Sequence, residues 1–89
     1  MMTREEAMRI MKEEDLRHYS LFEETKPKKW DLVINRDGER WVVYKISERM
    51  AVGSGTERYF HEENDAWDNF IRRLRAGKEL EESTNGKYY

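Results

Sequence analysis

Cysteine is absent from this 89-residue chain, so neither a disulfide framework nor a thiolate zinc site can hold it together, and an intracellular setting is favoured. Proline occurs once, at Pro27. No apolar run approaches the ~18 residues of a membrane helix, and Met1-Met2-Thr3-Arg4-Glu5-Glu6 carries no hydrophobic signal segment. Neither charge sign dominates: 17 Lys and Arg face 19 Asp and Glu, a net charge of -2. That balance argues against a dedicated nucleic-acid binder, whose affinity comes mainly from neutralising phosphates. What the chain does have is charge, 40% of residues, together with three Trp, five Tyr and three Phe. The length allows one small domain, which buries only roughly 60–65% of its unfolded surface, so nearly every large apolar residue must serve the core. Each buried aromatic hides about 150–250 Å², enough to build that core despite a mean hydropathy of -1.11.

The charge is unevenly spread. Residues 1–25 carry seven acids and four bases, residues 26–49 seven bases and four acids, and the remainder eight acids and six bases. At the N-terminus, Thr3 followed by Glu6 is a capping box, and Ala7, Met8, Ile10 and Met11 recur at helical spacing, which predicts a helix ending near Leu16 or Arg17. Tyr19-Ser20-Leu21-Phe22 has strand propensity but is too short for periodicity to decide between a brief strand and an apolar plug. After Pro27, the runs Trp30–Ile34 and Trp41–Ile46 flank Asp37-Gly38, which reads as a type I′ hairpin turn. Counting from that turn places Ile34 opposite Trp41, Leu32 opposite Val43, Val33 opposite Val42 and Asp31 opposite Tyr44. Trp30, Leu32, Ile34, Trp41 and Val43 then share the core face. The other face carries Val33, Val42, Tyr44 and Ile46 among Asp31, Asn35 and Arg40, unusually apolar for a face meant for water.

Gly53-Ser54-Gly55 marks a turn, Thr56–His61 a third strand, and a second helix is expected to open at Asn64 or Asp65. Ala66, Trp67, Phe70, Ile71 and Leu74 form its apolar stripe, and Gly77 is a natural stop. The expected architecture is α+β: an N-terminal helix, a three-stranded antiparallel β-meander and a C-terminal helix, with both helices on one face of the sheet. Residues 1–77 form the single domain and residues 78–89 a flexible tail.

Groups for catalysis are scarce. His18 and His61 are separated by the hairpin, and His61-Glu62-Glu63 lacks the second His that a metalloprotease helix needs. A metal site from His61, Glu62 and Asp65 is weaker than the plain reading of a strand end followed by helix-starting acids. Gly53-Ser54-Gly55 lacks the lysine and following helix of a phosphate loop, and no serine sits in a nucleophile elbow. The expectation is therefore no catalytic residue, no metal and no cofactor. Binding is the better reading, through the semi-apolar sheet face, unless the first helix or Tyr19–Phe22 covers it.

The pieces Tyr19-Ser20-Leu21-Phe22, Trp30–Ile34, Glu39-Arg40-Trp41-Val42-Val43-Tyr44 with Ser47-Glu48-Arg49, and Ala66 through Phe70-Ile71-Arg72-Arg73-Leu74-Arg75 occur in an order that resembles a known family. They are similar to the small immunity proteins of Gram-positive bacterial polymorphic toxin systems, most closely the immunity protein fifty-nine family, over residues 3–75. The resemblance implies a cytoplasmic, non-enzymatic protein that binds and neutralises a co-encoded toxin, and it assigns no contact residues. From the sheet face itself, Val33, Val42, Tyr44, Asp31 and Arg40 are the expected partner-binding positions in a monomer or homodimer. The acidic stretches Glu13-Glu14-Asp15, Glu23-Glu24 and Glu62-Glu63 with Asp65 would suit a basic partner such as a nuclease. The alternative is a small nucleic-acid or ligand-binding module built on the basic segment 26–36, with Lys26, Lys28, Lys29, Trp30 and Arg36.

Overall fold

Thr3 starts the first helix as its sequence predicts. In the computed structural model, which describes residues 2–22, 27–53 and 55–84 with side chains through residue 79, its Oγ1 accepts the Glu6 N–H at 3.1 Å at the head of α1 (Arg4–Glu13). The helix stops short of the expected Leu16 or Arg17. Asp15 takes a left-handed φ of 52°, its N–H donates to the Lys12 carbonyl at 3.3 Å, and the Leu16 N–H donates to the Met11 carbonyl at 2.9 Å. Those two bonds make a Schellman motif, with an aspartate where glycine is usual and with buried Leu16 and Met11 as its apolar seal.

Among the described residues the sheet has four strands, in the order β1 (Tyr19–Leu21), β2 (Leu32–Asp37), β3 (Arg40–Lys45) and β4 (Arg58–Phe60). It is mixed, which corrects the expected three-stranded meander. β1 runs parallel to β2, with Tyr19, Ser20 and Leu21 beside Leu32, Val33 and Ile34. Three residues carry no readable alternation, and a parallel neighbour leaves no hairpin signal between the strands, so propensity alone marked this segment.

The β2–β3 register also differs. Ile34 lies opposite Val43, Val33 opposite Tyr44, Arg36 opposite Trp41 and Asp37 opposite Arg40. Gly38 and Glu39 are thus the central turn residues, and only Gly38 has positive φ, at 64°, the pattern of a II′ turn rather than I′. A slip of two residues preserves the alternation of a strand, so the face assignment of Leu32, Ile34, Trp41 and Val43 holds although every expected partner changes.

α2 (Glu63–Thr84) continues through Gly77 for seven more residues, so the expected helix stop and domain boundary at 77 fall inside a helix. Arg75 Nε and Nη2 donate to the two carboxylate oxygens of Glu14 at 2.9 and 2.5 Å, and Lys78 Nζ donates to the Glu14 carbonyl. Together these contacts clasp the end of α1 to this length of α2. Residues 85–89 of the expected tail lie outside the described residues. The core between helices and sheet holds Ala7, Met11, Leu16, Leu32, Ile34, Trp41, Val43, Trp67, Phe70 and Ile71. Phe22 stands edge-on to Trp41 and Trp67, at 5.8 and 5.9 Å between ring centroids. Trp30 does not join them. It precedes β2, has φ of 70° and is 56% exposed.

Candidate functional site

Neither expected cover lies over the second sheet face. The side chains of Ala7 and Met11 on α1 enter the helical core, and Tyr19, Leu21 and Phe22 pack against that same core. The second face therefore has its own floor: Val33, Val42 and Ile46 are buried but outside the helical core. Residues beyond β3 fold back, with Ile46 bridged to Val52 and the Gly53 N–H donating to the Lys45 carbonyl at 2.7 Å. Thr56 Oγ1 holds this return by donating to the Gly53 carbonyl and accepting the Lys45 N–H, at 2.7 and 3.1 Å.

An open depression of about 400 Å³ results, lined by Asn35, Arg36, Asp37, Val42, Tyr44, Val52, Glu57 and Tyr59. Val42 lies across the ladder from Tyr59 and next to Asn35. Arg40 extends over the Tyr59 ring, 4.1 Å from guanidinium carbon to centroid, and Nη2 meets Asp37 Oδ2 at 3.0 Å. Tyr59 and Val52 are exposed at the rim and Tyr44 is half-buried. Val42, Tyr44, Val52 and Tyr59 thus bring apolar and aromatic side chains together beside the Arg40–Asp37 ion pair.

The five expected positions separate here. Tyr44 and Val42 line the depression, Arg40 edges it through Tyr59, and Val33, fully buried opposite Tyr44 in the ladder, does not line it. Asp31 is buried elsewhere, its Oδ2 accepting the Lys28 N–H at 2.9 Å and its carbonyl accepting the Ile46 N–H at 2.8 Å, so it ties the loop before β2 to the end of β3. Tyr59 and Val52 were not anticipated. Tyr59 sits on a three-residue strand, and Val52 comes from a turn whose fold-back has no periodic signature.

Four carboxylates of the acidic stretches, at or beside the helix ends, are engaged within the molecule. Glu13 pairs with Arg9, Glu14 with Arg75, Asp15 with Arg17 and Glu63 with Arg4, while Glu23 and Glu24 lie outside the described residues. Hydrogen bonds from Arg75 and from Arg17 hold the Glu14 and Asp15 carboxyls below their ordinary ranges. The basic segment is divided too: Arg36 lies over Trp41 at 5.4 Å and donates to the Gly38 carbonyl, at the opposite end of β2 from Lys28, Lys29 and Trp30. Lys26 lies outside the described residues. Among the described residues no group of three or more His, Asp or Glu side chains is placed to hold a metal, and no helix is long and apolar enough to cross a membrane.

The family model for immunity protein 59 matches residues 3–83, almost the whole length of the two helices and the sheet. The chain belongs to the immunity protein 59 family. Its match runs past Gly77, in step with the continuation of α2 and beyond the residue 75 reached by sequence resemblance. No curated protein and no solved structure matches the chain.

Proposed function

We propose that this member of the immunity protein 59 family binds a co-encoded toxin domain through the second sheet face and neutralises it by occupancy, without chemistry of its own, in the cytoplasm of the cell that makes both. The observation that carries the reading is the open depression lined by buried Val42 together with Tyr44, Tyr59 and Val52. An apolar, aromatic-rich patch inside a charged border has the composition of a protein contact surface. Tyr44 and Tyr59 are its anchors, because tyrosine offers a rigid apolar body, a polar tip and few rotamers to freeze. Arg40, held by Asp37 and stacked on Tyr59, fixes the ring and supplies a preorganised donor at the rim. The test is co-expression of the adjacent toxin gene with wild-type, Tyr44→Ala and Val42→Asp proteins, each checked for folding by circular dichroism. Growth is expected with wild type and is expected to fail with both folded variants. Full protection by both would move the interface off this face, and a neighbouring gene encoding no toxin would remove the reading.

A further inference from the structure

Away from the β2–β3 turn, two bulky residues hold a backbone conformation that neither favours. Trp30 has φ of 70° and Met50 has φ of 63°, and both are exposed, at 56% and 48%. Left-handed φ is costly for a residue with a Cβ and persists only where surrounding structure enforces it, a pattern concentrated at ligand clamps. The enforcement is visible. The Trp30 N–H donates to the Ile46 carbonyl at 3.0 Å, the Met50 N–H to the Ser47 carbonyl at 3.0 Å, and the Ser47 N–H to the Ala51 carbonyl at 2.7 Å. Both residues are thereby tied to the same short stretch after β3. The other described left-handed residues with a Cβ are Asp15, which caps α1, His18, whose carbonyl accepts the Leu32 N–H at 2.9 Å beside β1, and Phe22, which packs against Trp41 and Trp67. The Trp30 and Met50 backbones close turns by the bonds above, but their side chains stand outside the core, exposed to solvent.

Charge singles out the same place. Among the described residues, the lysines and arginines whose side chains have neither an ion pair, a hydrogen bond nor a ring contact are Lys12, Lys28, Lys29, Lys45 and Arg49. All but Lys12 belong to the two loops that meet at Ile46, or border them. Among the described residues the acids in these two loops are exposed Glu48 and Asp31, whose carboxylate is turned inward to the Lys28 N–H.

We propose that this end of the sheet is a second anchor for the toxin domain, resting on the toxin-binding reading above, and that it takes an acidic segment of that domain around Trp30. Val52, two residues after Met50 on the same loop, lines the depression, so one loop contributes to both surfaces. The proposed partner surface is thus acidic, opposite to the basic one that the acidic stretches suggest, of which Glu13, Glu14, Asp15 and Glu63 are already paired within the molecule. A single-stranded nucleic acid fits less well: one aromatic platform, three lysines to one arginine and a net charge of -2 are weak provision for phosphates and stacked bases.

The experiment uses the C-terminal domain of the protein encoded directly upstream, with association kinetics and Kd measured at several salt concentrations. Trp30→Gly should weaken binding by roughly tenfold or more while leaving Tm unchanged or raised, because glycine adopts this φ freely. Lys28→Glu with Lys29→Glu should slow association roughly tenfold and abolish its decline with salt. If the domain binds wild type, Tyr44→Ala weakens it and both loop variants bind normally, the second anchor is refuted while the sheet-face reading stands. If wild type does not bind the domain, both fall. Binding of a single-stranded oligothymidylate by wild type, lost in Trp30→Gly, would make this a nucleic-acid site and overturn the proposal.

Discussion

The indole Nε1 of Trp67 donates to Oε2 of Glu63, one turn earlier on α2, at 2.9 Å. The same oxygen accepts from Arg4 Nε at 2.8 Å, and the Arg4 guanidinium lies 4.8 Å from the Phe22 centroid and 5.9 Å from that of Trp41. One carboxylate therefore joins the start of α1, the start of α2 and the aromatic layer against β3. Burial pushes the Glu63 carboxyl up, but the hydrogen bonds from Trp67 and Arg4 and the charges of Arg4 and Arg36 outweigh it and hold the group below its ordinary 4.5.

Glu63→Ala should destabilise the fold by about 1–3 kcal/mol, since the fully buried Trp67 would keep an N–H without its partner. A folded-state value below the unfolded one contributes stability that is present above about pH 4.5 and lost as pH falls through the folded value. The Tm gap between wild type and Glu63→Gln should accordingly be largest above that pH and close on acidification. A gap that stays constant with pH would contradict this.

Gly77 lies within α2, and a Cβ built there meets nothing within 4 Å. Gly77→Ala should stabilise the protein by about 0.8–1 kcal/mol, raising Tm by roughly 4–8 °C in a domain of this size. Were Gly77 a left-handed helix stop, the same change would lower Tm.

Gly38 is uncrowded as well, but its φ of 64° penalises any L side chain. Gly38→Ala should cost about 1–2 kcal/mol, and D-alanine introduced there by chemical synthesis should be tolerated. Equal losses for the two would mean that space, not handedness, decides at this turn.

The legible parts of the fold were those whose cause is local. Thr3 is read correctly because a cap needs only its own first turn, and the stripe from Ala66 to Leu74 because helical periodicity survives over many residues. The hairpin faces were legible while the pairs were not. Asp37-Gly38 suits a I′ turn and Gly38-Glu39 a II′ turn, and the two registers differ by two residues with the same alternation. Gly77 was misread because a glycine's own preference is small beside tertiary contacts such as the Arg75–Glu14 and Lys78–Glu14 clasp. Alternation counted from the turn places Trp30 on the core face, whereas a left-handed turn held by the Ile46 carbonyl carries it out. At the candidate site, Val42 and Tyr44 followed from alternation along β3. Tyr59 and Val52 reach the depression through long-range pairing and a loop reversal, which no local pattern reports.

The stacked pair of Arg40 and Tyr59 should act as one unit in binding. Arg40→Ala and Tyr59→Ala are expected to weaken toxin-domain binding non-additively, the double variant losing less than the sum of the single losses. Titration calorimetry on the four proteins checks this, and strict additivity would show that the two side chains act separately.

The most direct measurement is the Kd of the adjacent toxin domain for wild type and for Tyr44→Ala, with both shown to be folded at the assay temperature. An anchor on the open sheet face predicts a loss of about 2 kcal/mol or more, roughly thirtyfold in Kd. An unchanged Kd for folded Tyr44→Ala, joined by an unchanged Kd for Tyr59→Ala, would contradict the claim that this face is where the protein holds its toxin.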